Sequence, residues 1–156
     1  MREKAAVKAE LDAALAAQLD AARRAHAAAI EGATHSEARA ENTKDTRGLE
    51  QSYLARGQAM RVAELEVAVA RVTAFALPET LDRVALGALV TIDEDSGQSE
   101  LFIATDGGGT LLANGKVQVV TPQSPLGSAL LGRRAGDEVE VRLPGGVRTL
   151  EITAIR

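Results

Sequence analysis

Apolar residues in the first part of the chain recur at helical spacing. They return every three or four residues over the first thirty positions, at Val7, Leu11, Leu15, Leu19, Ala22, either Ala25 or His26, and Ile30. Thirteen alanines within residues 1–31 add strong helix propensity. The pattern predicts an amphipathic α-helix whose apolar face packs against a partner.

A second apolar stripe begins beyond Gly32. It consists of Leu49, Tyr53, Met60, Val62, Leu65, Val69, Val72 and Ala76. Spacings of three and four residues are typical of a coiled-coil seam, so the two stripes predict an antiparallel helical hairpin. At 1.5 Å per residue, each arm would be about 45 Å long. The alternative is a helical bundle packed against the rest of the chain.

The turn of this hairpin has two possible positions. Thr34 to Glu37 resembles a capping box, which would start the second helix early. Arms of equal length instead place the tip at 32–45, and we expect the tip there. Gly57 then lies within the second helix, where it indicates close packing or a bend.

Strand patterns dominate the second half. Residues 84–93 and 99–105 predict one hairpin, and residues 138–143 and 147–155, joined by LPGG, predict another. A KVQVV strand and a short helix ended by Gly132 lie between them. We therefore expect an α+β fold, with a helical hairpin followed by a small antiparallel sheet around one short helix.

Helix-breaking residues mark the boundary between these halves. All four prolines lie at or beyond Pro78, and eleven of the fourteen glycines lie at or beyond Gly87. We therefore predict two domains, a hairpin over 1–77 and a sheet domain over 78–156.

Composition excludes several classes of function. The chain has 156 residues, 2% aromatic content, no cysteine and a net charge of −4. Base-stacking platforms, thiol nucleophiles and zinc-thiolate sites are therefore excluded, and a broad grip on nucleic acid is disfavoured. No apolar run approaches the roughly 18 residues of a membrane span. We expect a cytoplasmic protein.

Carboxylates are concentrated near the predicted tip. In a helical tip, Glu37, Glu41 and Asp45 would share one face, which suits a magnesium ion that keeps most of its waters. Because Arg39, Lys44 and Arg47 are interspersed, the alternative is a solvated, charge-balanced loop.

Several motifs in the second half occur together in one known family. Asn114-Gly115-Lys116, Ser124-Pro125, Ala129-Leu130 and GDEVEVRLPGGVRTLEI (136–152) resemble the C-terminal domain of bacterial GreA/GreB transcript-cleavage factors. Val62-Ala63-Glu64-Leu65-Glu66 resembles the end of the second coiled-coil helix in that family. The resemblance implies an N-terminal coiled coil followed by an FKBP-like domain.

The resemblance also implies a partner, bacterial RNA polymerase. In the family, the globular domain docks at the rim of the secondary channel, and the coiled coil brings acidic tip residues to the polymerase active site. There they help to hold a second magnesium ion and a water, so that the polymerase cleaves its own backtracked RNA. We expect an accessory factor rather than an enzyme, a monomer without a cofactor of its own, in indirect contact with nascent RNA.

The family motifs nominate two sets of site residues. The docking loop corresponds to Gln123, Ser124, Pro125 and Leu126, and its alternative role is a rigid cap for the short helix. At the tip, Glu41 falls on the first acidic position of the family, but Lys44 falls on the second. Asp45 is the carboxylate that can replace the missing one as a magnesium ligand. Docking is therefore favoured over cleavage.

Three other functions stay open at this stage. A channel-blocking inhibitor would dock without stimulating cleavage, and a coiled-coil adaptor would not bind polymerase. A prolyl isomerase is disfavoured because such sites are lined by several aromatic rings, and residues 78–156 contain only Phe102.

Overall fold

Two long helices precede a six-stranded sheet that carries one short helix. The computed structural model describes residues 2–39 and 47–156. Helix α1 spans Lys4–Arg39, α2 spans Arg47–Ala74 and α3 spans Pro125–Leu130. The strands are β1 Leu89–Glu94, β2 Gly97–Ile103, β3 Leu111–Leu112, β4 Val117–Val120, β5 Glu138–Leu143 and β6 Gly146–Ile155. The predicted α+β fold is confirmed.

Contacts divide the chain into two compact units. One comprises residues 14–69 of the two helices and is called the hairpin unit. The other comprises residues 1–13 and 70–156 and is called the sheet unit. The sheet unit thus includes the start of α1 and the end of α2, whereas the sequence placed a boundary between residues 77 and 78.

The apolar seam of the hairpin unit follows the predicted stripe over part of its length. Leu19 and Ala22 of α1 form a buried cluster with Leu65 of α2, and Val62 and Val69 are half-buried beside it. Across this seam, an Arg23 nitrogen lies 3.2 Å from a Glu66 oxygen on the surface. The two helices therefore form the antiparallel pair that the spacing predicted.

The distal part of both stripes was predicted wrongly. Ile30, Leu49, Tyr53 and Met60 are exposed, with Met60 retaining 62% of its accessible surface. On α1 the buried position is Ala29, which continues the spacing of three and four beyond Ala22. On α2, the same spacing counted back from Leu65 reaches Gln58 and Gln51, so polar residues occupy the seam there.

The predicted tip at 32–45 required the first helix to end near Gly32, but it does not end there. Helix α1 continues through Gly32 to Arg39. A Cβ added at Gly32 would lie 2.9 Å from the Gln51 side-chain oxygen, so the end of the Gln51 side chain lies against this glycine. At Gly57 an added Cβ would meet nothing within 4 Å, and the close packing expected there is absent from the described residues.

Strand order in the sheet is β3-β4-β2-β1-β6-β5. The predicted hairpins β1-β2 and β5-β6 are present, with Leu89 opposite Phe102 and Val139 opposite Leu150. One pair departs from the antiparallel prediction, because β2 and β4 run parallel. The chain between them crosses over through a glycine loop and the edge strand β3, which the sequence did not reveal.

Each face of the sheet carries buried aliphatic residues. On one face α3 covers the strands, and Leu126 and Leu130 join a core that includes Val90, Leu101 and Ile152. On the other face, Leu89 and Phe102 are fully buried, and the Phe75 ring lies 6.5 Å from the Phe102 ring between centroids. The sheet unit is therefore packed on both sides.

Within the described residues, no helix is long and apolar enough to cross a membrane.

Candidate functional site

The segment from Thr121 to Gly127 forms a tightly bonded corner before α3. Ser124 is the N-cap, and its hydroxyl accepts a hydrogen bond from the Gly127 amide at 3.0 Å. The same hydroxyl donates to the Thr121 carbonyl at 2.8 Å, and the Ser124 amide donates to that carbonyl at 3.1 Å. Pro125 occupies the first helical turn, where its missing N–H and fixed φ are favourable. The predicted cap is confirmed.

This corner exposes only half of the predicted docking residues. Gln123 and Pro125 are exposed, Ser124 is half-buried and Leu126 is buried in the core. Ser124 and Leu126 therefore hold the turn in place, while Gln123 and Pro125 form the surface that a partner can touch.

Two glycines make the corner possible. A Cβ at Gly127 would lie 1.9 Å from the Thr121 carbonyl oxygen, so no other residue fits without moving the backbone. A Cβ at Gly108 would lie 3.2 Å from Cγ2 of Thr121. The glycine loop at 107–109 thus serves as a close wall beside the corner.

A cavity of about 230 Å³ adjoins the exposed side of this turn. Its walls include Gly108, Thr121, Ser124, Pro125, Leu126, Leu143 and Arg148. The guanidinium of Arg148 donates from Nε to both carboxylate oxygens of Glu94, at 2.9 and 3.0 Å. That hydrogen-bonded carboxylate raises the pKa of Arg148. The guanidinium is a cation at any physiological pH, and its hydrogen bonds to Glu94 hold it in the wall.

Sequence reasoning missed Leu143 and Arg148 as neighbours of this turn. Both belong to the β5-β6 hairpin, about twenty residues further along the chain. Their strand positions were readable from alternation, but strand order was needed to bring them to the corner. Of the residues that surround this turn, only the glycine cluster at 107–109 stood out as a local pattern in the sequence.

The tip residues proposed as magnesium ligands, Glu41 and Asp45, lie outside the described residues, as does Lys44. Among the residues whose side chains the structure describes, 2–34 and 48–156, no group of three or more His, Asp or Glu side chains is placed to hold a metal ion.

The arrangement of rings does not favour prolyl isomerisation. Phe102 is the one aromatic residue of 78–156, and it is fully buried against Phe75. It therefore cannot line an open substrate pocket of the kind such isomerases use.

Comparison with protein-family models gives one match. The model described as "Transcription elongation factor, GreA/GreB, C-term" matches residues 78–156, which is more than half of the chain. The chain belongs to the GreA/GreB family. The family match begins at Pro78, where the loss of helical patterning placed the start of the second domain.

Curated relatives include proteins named transcription elongation factor GreA from Brucella canis and Brucella suis. Each is 36% identical to this chain over 98 residues, which cover 62% of this chain and 60% of the relative. The match thus spans about 60% of the length of these GreA proteins.

Solved structures of similar proteins include the GreA factor homolog 1 (Gfh1) of Thermus thermophilus. It is 22% identical, with a TM-score of 0.41, and the alignment covers 93% of this chain and 94% of that one. A GreA/GreB factor from Nitrosomonas europaea is 26% identical, with a TM-score of 0.39 and coverage of 60% and 78%.

Proposed function

We propose that this protein binds bacterial RNA polymerase at its secondary channel and modulates transcription elongation. One observation carries the proposal: a GreA/GreB C-terminal domain presents Gln123 and Pro125 on a turn fixed by Ser124 and Gly127. The protein would act as an accessory factor, and any catalytic magnesium would belong to the polymerase complex.

The rigidity of the corner supports a docking role. A partner pays little ordering entropy when it binds a turn whose backbone is already fixed by three hydrogen bonds and a buried leucine. Proline adds a pre-set φ at the contact surface. The adjoining cavity, with Pro125 and Leu143 on its wall, provides a recess with apolar lining next to the contact surface.

Binding to purified core polymerase tests this docking surface. Fluorescently labelled protein should bind, and Gln123→Ala combined with Pro125→Ala should weaken binding about tenfold, which is about 1.4 kcal/mol. Gln98→Ala is the matched control, because Gln98 is an exposed glutamine of the same unit outside the corner. Equal affinity of the double variant and the control would contradict the docking assignment.

Stimulated cleavage of backtracked RNA is the first of two activities at the channel. Glu41 and Asp45 would supply carboxylates to a second magnesium ion, which activates water and stabilises the leaving oxygen. When the protein is added to a backtracked complex, the polymerase should then cleave its RNA and release short fragments. Glu41→Ala with Asp45→Ala should abolish that release, whereas Glu50→Ala, at an exposed carboxylate of α2, should not.

Blocking of the channel without cleavage is the second activity, and Lys44 favours it. An ammonium at the position of the second acidic residue would repel the metal by about 4 kcal/mol, for unit charges about 4 Å apart at an effective dielectric near 20. Nucleotide addition should then slow without short RNA products, and Lys44→Glu should restore cleavage. Cleavage by the unaltered protein would contradict the blocking role.

A further inference from the structure

A second cavity of the sheet unit, of about 430 Å³, has basic walls. Three cationic side chains line it, and they come from distant parts of the chain: Arg2, Lys116 and Arg156. Glu100 is the one carboxylate side chain among the lining residues, and the rest are neutral. The side-chain charge of this basic pocket is therefore +2, whereas residues 78–156 as a whole carry a net charge of −4.

Glu100 holds the two arginines side by side. One of its oxygens accepts from Arg2, and the other accepts from Nη2 of Arg156 at 2.5 Å. A guanidinium has five N–H donors, so a single carboxylate leaves most of them available. Nε of Arg156 is buried and has no hydrogen-bond partner among the described residues.

Lys116 reaches the basic pocket from an anchored turn. Ala113 and Asn114 both adopt left-handed conformations, at φ 52° and 57°, which is unfavourable for alanine. The Glu10 carboxylate of α1 stabilises this turn by accepting from the Ala113 amide, at 2.9 and 3.0 Å. Lys116 itself forms no ion pair with any residue that the structure describes. Its charge is thus held at the pocket without neutralisation.

We propose that the basic pocket binds a small phosphate-bearing anion. Two guanidinium groups and an ammonium match phosphate oxygens in charge and in donor geometry. The cavity volume falls within the range of small-molecule sites. A nucleic-acid backbone is disfavoured as the ligand, because the acidic remainder of the domain would repel a polyanion.

Amide shifts in ¹H–¹⁵N spectra of the full chain test this site. Inorganic phosphate, pyrophosphate and a ribonucleoside 5′-diphosphate are titrated at constant ionic strength, with chloride as the replaced anion. We expect saturable shifts at Ser99, Glu100, Gly115 and Lys116. Equal affinity for pyrophosphate and the nucleotide identifies the phosphates alone as the ligand, and tighter nucleotide binding identifies a nucleotide site. Either result supports the proposal.

Lys116→Gln is the decisive variant, since Lys116 is exposed and its loss leaves the core untouched. It should weaken binding about tenfold, as expected for a lost charge-assisted contact. Arg142→Gln, at an exposed arginine outside the pocket, should not change the affinity. The absence of saturable shifts, or equal affinities of the two variants, would overturn the proposal. Because polymerase is not present, this result is independent of the docking experiments.

Discussion

The sheet unit and the hairpin unit both build their cores from aliphatic side chains, but the two cores differ greatly in how completely those side chains are buried. In the sheet unit, Leu130 and Ile152 are completely buried, and both faces of the sheet are covered. In the hairpin unit, the buried cluster consists of Leu19, Ala22 and Leu65, and Leu49, Tyr53 and Met60 remain exposed. A substitution should therefore cost much more stability in the sheet unit than along the distal helices.

The largest effect is expected at the docking corner. Gly127→Ala would place Cβ 1.9 Å from the Thr121 carbonyl oxygen, so the backbone must shift or α3 must detach. We expect about 4 kcal/mol or more of destabilisation, measured by hydrogen exchange of the β2 and β6 amides. Gly145→Ala is the control, because its Cβ would meet nothing within 4 Å. Similar protection in both variants would show that the corner is not tightly packed.

The difference in burial between the two units is tested by one substitution in each, Leu130→Ala and Met60→Ala. Leu130→Ala removes a fully buried side chain and should destabilise the sheet unit by about 3 kcal/mol. Met60→Ala removes an exposed side chain and should change stability by less than about 0.5 kcal/mol. Urea titrations of both variants measure the difference. A large loss of stability in Met60→Ala would mean that the distal apolar positions of α2 are buried.

A smaller effect is expected from the helix cap. Ser124→Ala removes the acceptor for the Gly127 amide and should destabilise the sheet unit by about 1 kcal/mol. Ser124→Thr retains a hydroxyl that can accept from the Gly127 amide and donate to the Thr121 carbonyl, so it should recover most of that loss. Thermal unfolding of the three proteins provides the measurement. The capping role would be contradicted if the alanine and threonine variants were equally stable.

The smallest effect has the opposite sign. Gly57→Ala should stabilise α2 by about 0.5 kcal/mol, because Gly57 is exposed and an added Cβ would meet nothing within 4 Å. Helicity at 222 nm during thermal unfolding is the readout. A loss of stability would indicate that a neighbour occupies this open position.

Local chemistry made much of the fold readable from the sequence. The Val7 to Leu19 spacing identified the buried face of α1, and alternation identified β5 with the bounds it has in the structure. The cap of the short helix was the alternative role given to the Ser124-Pro125 segment, and Ser124 is the N-cap. These features depend on neighbours within a few residues, which is why a pattern was sufficient.

Features that depend on distant residues were not readable. Gly32 looks like a helix end, but it is a close contact with Gln51. Tyr53 and Met60 look like seam residues, but the seam is set by its register from Leu65 and passes through glutamines. In the site, Gln123 and Pro125 were nominated by a family motif, while Arg148 required the strand order. The burial and the neighbours of such residues depend on how distant segments of the chain pack against one another.

The central claim is that the capped corner makes this protein a ligand of the polymerase secondary channel. Displacement of labelled GreA from core polymerase by the unlabelled protein tests it most directly. We predict full displacement by the unaltered protein, and a tenfold higher midpoint for Gln123→Ala combined with Pro125→Ala, with Gln98→Ala unchanged. Failure of the unaltered protein to displace GreA at any concentration would contradict the claim.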